Sequence, residues 1–273
     1  FFVLLVMKRL LRTLTILLLM SATSSCSSNI KNIEHLFNDK KYDDAISDLN
    51  QYLFFHVTDI KALHMRARCY EEIGELEKSK KDYERIISID DTYAHAYAGL
   101  AKQLFDKKDY EGAELLILRA ATLQEDPDFE IVYLLGRTML MTKKYKKAEE
   151  FLRLAAELKP DYAKVYFYTG MALASQGDAL GCAASFNSYV KYEPDNLIGR
   201  YNRGFAYMNA GYLTWAMEDF DAVLKQDPNH LEAMAHKGMC MTYLGDTDGC
   251  TLIQNAANKG SQYAKEHVER CAS

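Results

Sequence analysis

Histidines, cysteines and paired carboxylates are the side chains of this 273-residue chain that could do chemistry. Imidazole and thiolate can hold a metal or act as base and nucleophile. Either role needs two or three such groups at ligand spacing or brought to one point. None of the seven histidines has a metal-ligand spacing to a neighbour. The chain has no HExxH, no paired CxxC, no GxSxG and no phosphate loop. His64 and His95 could meet only if separate segments stack, and they read first as two solvated histidines. Asp43–Asp44, Glu71–Glu72 and Glu149–Glu150 fall in amphipathic stretches, where paired acids are usually a solvated helix face. The expectation is a protein that is not an enzyme and needs no metal or cofactor.

The elements that carry these residues are helices. Apolar content is 49%, enough for a core along most of the length, and only 4 prolines and 14 glycines punctuate it. Those punctuation marks are periodic. Gly136, Gly170, Gly204 and Gly238 recur every 34 residues, as do Pro160, Pro194 and Pro228, and Gly177, Gly211 and Gly245. Around them the residue types repeat: Gly204, Tyr207, Gly211, Ala216, Phe220 and Pro228 in one unit answer Tyr166, Gly170, Gly177, Cys182, Phe186 and Pro194 in the unit before. Gly136, Tyr145, Ala148, Leu152, Ala155 and Pro160 form another. Ala67, Tyr70, Gly74 and Tyr83, then Tyr97, Ala101, Tyr110, Ala113 and Ala120, mark two weaker ones, the second one residue longer.

This pattern resembles the tetratricopeptide repeat, whose period is about 34 residues. The resemblance implies an all-α fold, a right-handed α-solenoid of helix-turn-helix repeats. Small residues let paired axes approach, bulky ones fill the gap beside them, and no single pair buries its apolar face alone. A partial first repeat is expected over 26–59, the array over 60–261, and a polar capping helix over 262–273. In the last unit Gln254 falls where Phe186 and Phe220 stand earlier. Gly260 ends its second helix, and Ser261 can cap a final one running to about Cys271.

Cys182 and Cys250 fall in the slot filled by Ala113, Ala148 and Ala216, and so read as small core residues. Cys250 has a second reading. It and Cys271 are symmetric about the Gly260–Ser261 turn, which would bring them level on antiparallel helices as a disulfide; Cys240 and Cys250 are likewise symmetric about Gly245.

In the family, the second, fifth, ninth and twelfth residues of each first helix line the concave groove. Carried onto this chain, they give a basic set, Lys61, His64, Arg68, His95, Lys102, Arg137 and Lys164. They also give an aromatic and methionine set, with Tyr133, Leu140, Phe167, Met171, Tyr201, Phe205, Met208 and Met239. Methionine and aromatic side chains adapt to varied partners, so the resemblance implies a groove for a protein segment. The Lys–Asn and Asn–Lys–Arg carboxylate clamp of some family members is not reproduced.

The N-terminus points to export. From Met7 the chain has a basic stretch (Lys8, Arg9, Arg12), then an apolar run from Thr13 to Met20 too short to span a bilayer, then small residues Ser21–Ser25 before Cys26. This resembles a bacterial lipoprotein signal over 1–25 with Cys26 as the lipidated residue, although Thr23 stands where the family favours an aliphatic side chain. An ordinary secretory signal is the alternative. No acidic residue precedes Glu34, so removing 1–25 takes the net charge from −5 to −8. Such a body repels polyphosphate, and no nucleic-acid partner is expected. The resulting expectation is an envelope scaffold, lipid-anchored at the outer membrane and facing periplasm or surface, that binds a protein or peptide segment. A receptor for a small ligand or glycan, using Tyr133, Phe167, Tyr201 and Phe205 as stacking platforms, is the second reading.

Overall fold

The computed structural model describes residues 30–271, and these are all helix and short turns. Residues 1–25, expected above to be a leader, and Cys26 lie outside the described residues. The chain divides into two compact units, one ending at Leu123 and one beginning at Gln124. In the first, α1 (30–38) pairs with α2 (Tyr42–Phe55), α3 (Ile60–Glu72) with α4 (Leu76–Ile89), and α5 (Ala94–Asp106) with α6 (Tyr110–Thr122). In the second, α7 (Phe129–Met141) pairs with α8 (Tyr145–Leu158), α9 (Ala163–Ser175) with α10 (Ala179–Tyr192), α11 (Leu197–Asn209) with α12 (Leu213–Gln226), and α13 (Leu231–Tyr243) with α14 (Asp248–Asn258). A short α15 (Gln262–His267) and a 3₁₀ turn (Val268–Cys271) close it. The fold class is thus an all-α solenoid of helix-turn-helix repeats.

Each hairpin is made by the same local chemistry. The turn between its helices needs one residue with positive φ, a conformation that costs an L-residue ~1–2 kcal/mol and glycine nothing. Gly74, Gly177, Gly211 and Gly245 fill that place with φ between 80° and 84°. Lys40, Lys108 and Lys143 fill it in the other turns, at φ 60–65°. Several helix starts are capped: Asp59, Asp128 and Asn196 accept from backbone N–H groups of the first helices, as Asp109 and Asp178 do for second helices.

Close packing follows from small residues facing bulky ones. A Cβ on Gly136 would stand 2.7 Å from Leu152 Cγ, and one on Gly170 would stand 2.7 Å from Phe186 Cε2. Ala67 and Ala101 hold the equivalent place in the first unit, with Tyr83 and Ile117 buried beside them. In each of these pairs the bulky residue follows the small one by sixteen positions; in the last hairpin it follows by fifteen. There Gly238 meets Gly249 O and Ile253 Cγ1, so Ile253 takes the aromatic slot while Gln254 faces solvent.

That one-residue shift corrects the reading of Cys250 as a small core residue in the alanine slot. Gly249 occupies the slot, and Cys250 is turned out of it. Cys250 and Cys271 are joined by a disulfide, their α-carbons 5.5 Å apart, which ties the start of α14 to the end of the chain's last turn. Cys69, Cys182 and Cys240 are buried free thiols whose pKa burial pushes up to about 11, so they are poor nucleophiles. Ser261 caps α15 through Ala264 N at 3.1 Å, and the helix tightens to 3₁₀ geometry from Val268 rather than running on as α to Cys271.

Candidate functional site

In the first unit, α1 and the first turns of α3 enclose an open recess of about 400 Å³. Lys61, His64, Met65 and Arg68 line it from α3, Glu34, Phe37 and Asn38 from α1, and Tyr93 from the residue before α5. The helical period explains the α3 set, since steps of three and four residues keep a single face. The Arg68 guanidinium lies over the Phe37 ring, 5.0 Å from its centroid, so a cation is held on an aromatic wall. His64 is half-buried, its ring 5.5 Å from Tyr93 and 5.8 Å from His95. Burial, with His95 and Arg68 nearby, lowers its pKa to about 4. It is neutral at pH 7. The positive charge of the recess therefore rests on Lys61 and Arg68, both exposed, opposite one carboxylate, Glu34.

Lys61, His64, Arg68 and His95 are thus brought together. Lys102 is exposed but committed, its Nζ donating to Glu71 Oε2 at 3.1 Å. A partner that used it would have to displace that carboxylate.

In the second unit the expected aromatic and methionine set is only partly on the surface. Met239 is 1% exposed, and Leu140 and Tyr133 are also buried. These three are core residues, because on their helices the ninth or twelfth place, or in Tyr133 the fifth, is covered by the next packed side chains. Arg137 packs over two rings, 5.4 Å from the Tyr133 centroid and 5.1 Å from Tyr168. Phe167 sits edge-on to Phe186 at 5.7 Å and belongs to the margin of the core. Met171, Phe205 and Lys164 are exposed; Tyr201 and Met208 are half-buried.

Around Tyr201 the structure gathers an aromatic group. Its hydroxyl is 3.2 Å from His236 Nδ1, and its ring is 4.9 Å from His230. His236 is buried under Tyr263, whose ring centroid is 4.2 Å away, and Phe205 is 4.9 Å from it. Burial is the main cause that lowers the His236 pKa to about 4, with His267 and His230 adding to it, and burial pushes the Tyr201 phenol up to about 12. Both are neutral hydrogen-bonding groups across the physiological range.

Phe37, Tyr93, Tyr168, His230 and His236 were not singled out by sequence. One signal could have found two of them. Asp59, Tyr93, Asp128, Tyr162, Asn196 and His230 all directly precede a first helix at the repeat period. Tyr93 and Tyr162 make no side-chain cap there, so they are placed for their rings.

Comparison with known proteins agrees with this architecture. Residues 60–93 and 98–163 each match the tetratricopeptide repeat family. Among solved structures the chain resembles YrrB, described as a TPR protein with an unusual peptide-binding site, at 23% identity and TM-score 0.61, covering 68% of this chain and 95% of that one. It also resembles PilW, described as a type IV pilus biogenesis factor, at 13% identity and TM-score 0.64, covering 74% and 94%. Among curated proteins, the Hsp70-Hsp90 organizing protein of Triticum aestivum is 30% identical over 93 residues, covering 34% of this chain and 16% of that protein. The Caenorhabditis elegans tetratricopeptide repeat-containing protein trd-1 is 24% identical over 164 residues, covering 59% and 20%. The chain therefore spans a fifth or less of these curated relatives. Fold and repeat chemistry define an α-helical repeat protein of the kind that mediates protein–protein interaction. Residues 60–93 and 98–163 match tetratricopeptide repeats, and the other helix pairs share their fold.

Proposed function

We propose that this protein is a membrane-tethered scaffold that holds a segment of an envelope protein against the first-helix faces of its repeats. The recess formed by Lys61, His64 and Arg68 carries the reading. Two exposed cations, one braced on Phe37, stand beside the apolar walls of Phe37 and Tyr93, in a chain whose overall charge is negative. Such a recess suits a carboxylate neighboured by an apolar side chain, with the neutral His64 ring available as a hydrogen-bonding floor. The peptide-binding site in the description of YrrB and the pilus role of PilW support the reading by likeness of fold. The tether is lipid on Cys26, and the compartment is the periplasmic or outer face of the outer membrane.

A photo-crosslinking residue in place of Lys61, in cells making the full chain, tests the groove. The expected result is one dominant protein adduct that disappears when Arg68→Glu is added. Saccharide recovered without protein, or an adduct indifferent to Arg68→Glu, would overturn it. The tether is tested separately, by a lipid-sized mass excess on the peptide that begins at Cys26.

A further inference from the structure

Phe54 and Phe55, at the end of α2, are each 76% exposed, the highest value for any large apolar side chain among the described residues. Their rings lie edge to face, 5.0 Å apart, and Val57 beside them is 49% exposed. Soluble surfaces rarely leave three adjacent large apolar groups uncovered. The backbone beneath them is braced rather than loose. Tyr52 stays in the core and donates its hydroxyl to Asp59 Oδ2 at 2.9 Å, the His56 ring stacks on Tyr52 at 4.2 Å, and Arg85 Nη2 donates to Val57 O at 2.8 Å. The corner is built to hold the two rings outward.

Its place in the fold says what covers it. α1 and α2 form an antiparallel hairpin turned at 39–41, so the end of α2 lies at the end where α1 begins. Four peptide units separate Cys26 from Ile30, a reach of at most about 14 Å. A lipid on Cys26 would therefore hold this corner of the first unit at the headgroups. Arg85 is exposed beside it, its guanidinium on Val57 O, and Lys31 is exposed at the start of α1, while Asp59, the acid of this turn, is occupied by Tyr52 and by Ala62 N. Protruding aromatic and aliphatic groups with a cation beside them match the boundary between anionic headgroups and acyl chains.

We infer that the Phe54–Phe55–Val57 corner is a membrane-docking surface that enters the lipid interface and fixes how the first unit stands on the bilayer. The inference rests on the tether proposed above. Its consequence is a rigid stance, in place of free swivelling about a lipidated residue.

The test uses the single tryptophan. The full chain carrying Phe54→Trp and Trp215→Phe is reconstituted in vesicles of phosphatidylethanolamine and phosphatidylglycerol with brominated acyl chains, beside the parent with Trp215 alone. The expected result is quenching of the residue-54 indole at least about threefold stronger than that of Trp215, with a blue-shifted emission. Quenching equal to that of Trp215, with full access to aqueous acrylamide, would overturn the inference. So would protection from bromine and acrylamide alike, which means that protein covers the corner, whether the chain's own leader or a second copy. The mass of the Cys26 peptide from the same vesicles separates the two readings. Lipid present without quenching sinks the docking surface alone; quenching with no lipid mass on the Cys26 peptide sinks the tether alone.

Discussion

Arg203 grips Asp219 through two parallel hydrogen bonds, Nε to Oδ2 at 2.8 Å and Nη2 to Oδ1 at 2.7 Å, while its Nη1 reaches back to Asn187 Oδ1 at 2.9 Å. Within the first unit Arg66 repeats the arrangement on Asp82 and Asn50, at 2.8, 2.6 and 2.8 Å. In both sets the partners stand sixteen positions before and after the arginine. A second helix, its own first helix and the preceding second helix are thereby pinned together. Asp82 and Asp219 are almost fully buried. A carboxylate in that position is tolerated only because the guanidinium fork meets both oxygens.

Removing the arginine should therefore cost more than the pair contributes. Arg203→Ala leaves Asp219 buried without its partner, and about 3 kcal/mol of destabilisation is expected. Replacing both, as Arg203→Met with Asp219→Leu, should recover most of it, because two apolar groups need no partner. Urea unfolding of the three proteins checks the order. A double variant no more stable than Arg203→Ala would show that the pair is stabilising in its own right.

The turn lysines lead to a prediction of opposite sign. Lys108 holds φ at 65° in the position that Gly74 and Gly177 take in other hairpins. Lys108→Gly should stabilise the protein by about 0.5–1 kcal/mol, since relief of the left-handed strain exceeds the entropy lost from a more flexible unfolded chain. The same change at Lys107, which is outside that region, should destabilise or do nothing. Thermal melts of both variants decide it.

These turns also show what sequence could and could not reveal. Periodic glycines and prolines made the hairpins from Gly136 onward legible, because the steric demand is written in the residue type. Where Lys40, Lys108 and Lys143 accept the same φ, the demand is met by strain and leaves no mark in composition. The last hairpin departs from the repeat register for a related reason. Counting by the repeat period put Cys250 in the alanine slot, yet Gly249 can approach Gly238 more closely, and packing chose it. That Lys61, His64 and Arg68 share one face was legible from position alone. The burial of Met239 was not, because place in a helix does not report what the following helix covers.

Acid should weaken the fold through its buried histidines. His236 has a pKa of about 4 in the folded protein against 6.5 when exposed. The unfolded chain therefore binds a proton that the folded one refuses, and stability is full above pH 6.5 and falls as pH drops from 6.5 towards 4. His64 acts in the same direction in the first unit. His236→Phe should flatten part of that slope, measured as the difference in denaturation midpoint between pH 7 and pH 4.5. An unchanged slope would mean that His236 opens to water before it titrates.

The disulfide gives a test of the second unit's end. Cys250 and Cys271 close a loop with sequence separation 21, and reduction should cost about 3 kcal/mol in the chain-entropy account. α15 would be freed along with it. Tyr263 would then leave the His236 ring, and Tyr201 and His236 would meet solvent. Reduced protein should melt earlier than oxidised, and Cys250→Ser with Cys271→Ser should match the reduced protein with or without reductant. Equal melting of reduced and oxidised forms would place the stability of α15 in its apolar contacts alone.

The groove reading makes its sharpest claim about two residues in neighbouring repeats of the first unit. Arg68 is exposed and braced on Phe37, whereas Lys102 is already held by Glu71. A carboxylate on the partner segment should therefore gain more from Arg68. Arg68→Ala is expected to weaken capture about tenfold, the loss of one charge-assisted contact at ~1.4 kcal/mol, with a reduced salt dependence. Lys102→Ala should change capture little, because it also releases Glu71. Phe205, 37% exposed and 4.9 Å from His236, offers a ring face in the second unit, and Phe205→Ala should weaken a partner that reaches it by ~2 kcal/mol. Binding of the crosslinked partner to each variant, beside their helicity and melting, is the measurement. If Phe205→Ala lowers melting and capture together, the ring acts as a support for His236 and the second unit's face is structural. If Lys102→Ala weakens capture more than Arg68→Ala, the partner displaces Glu71, and the binding centre moves from the α1–α3 recess to the middle of the first unit.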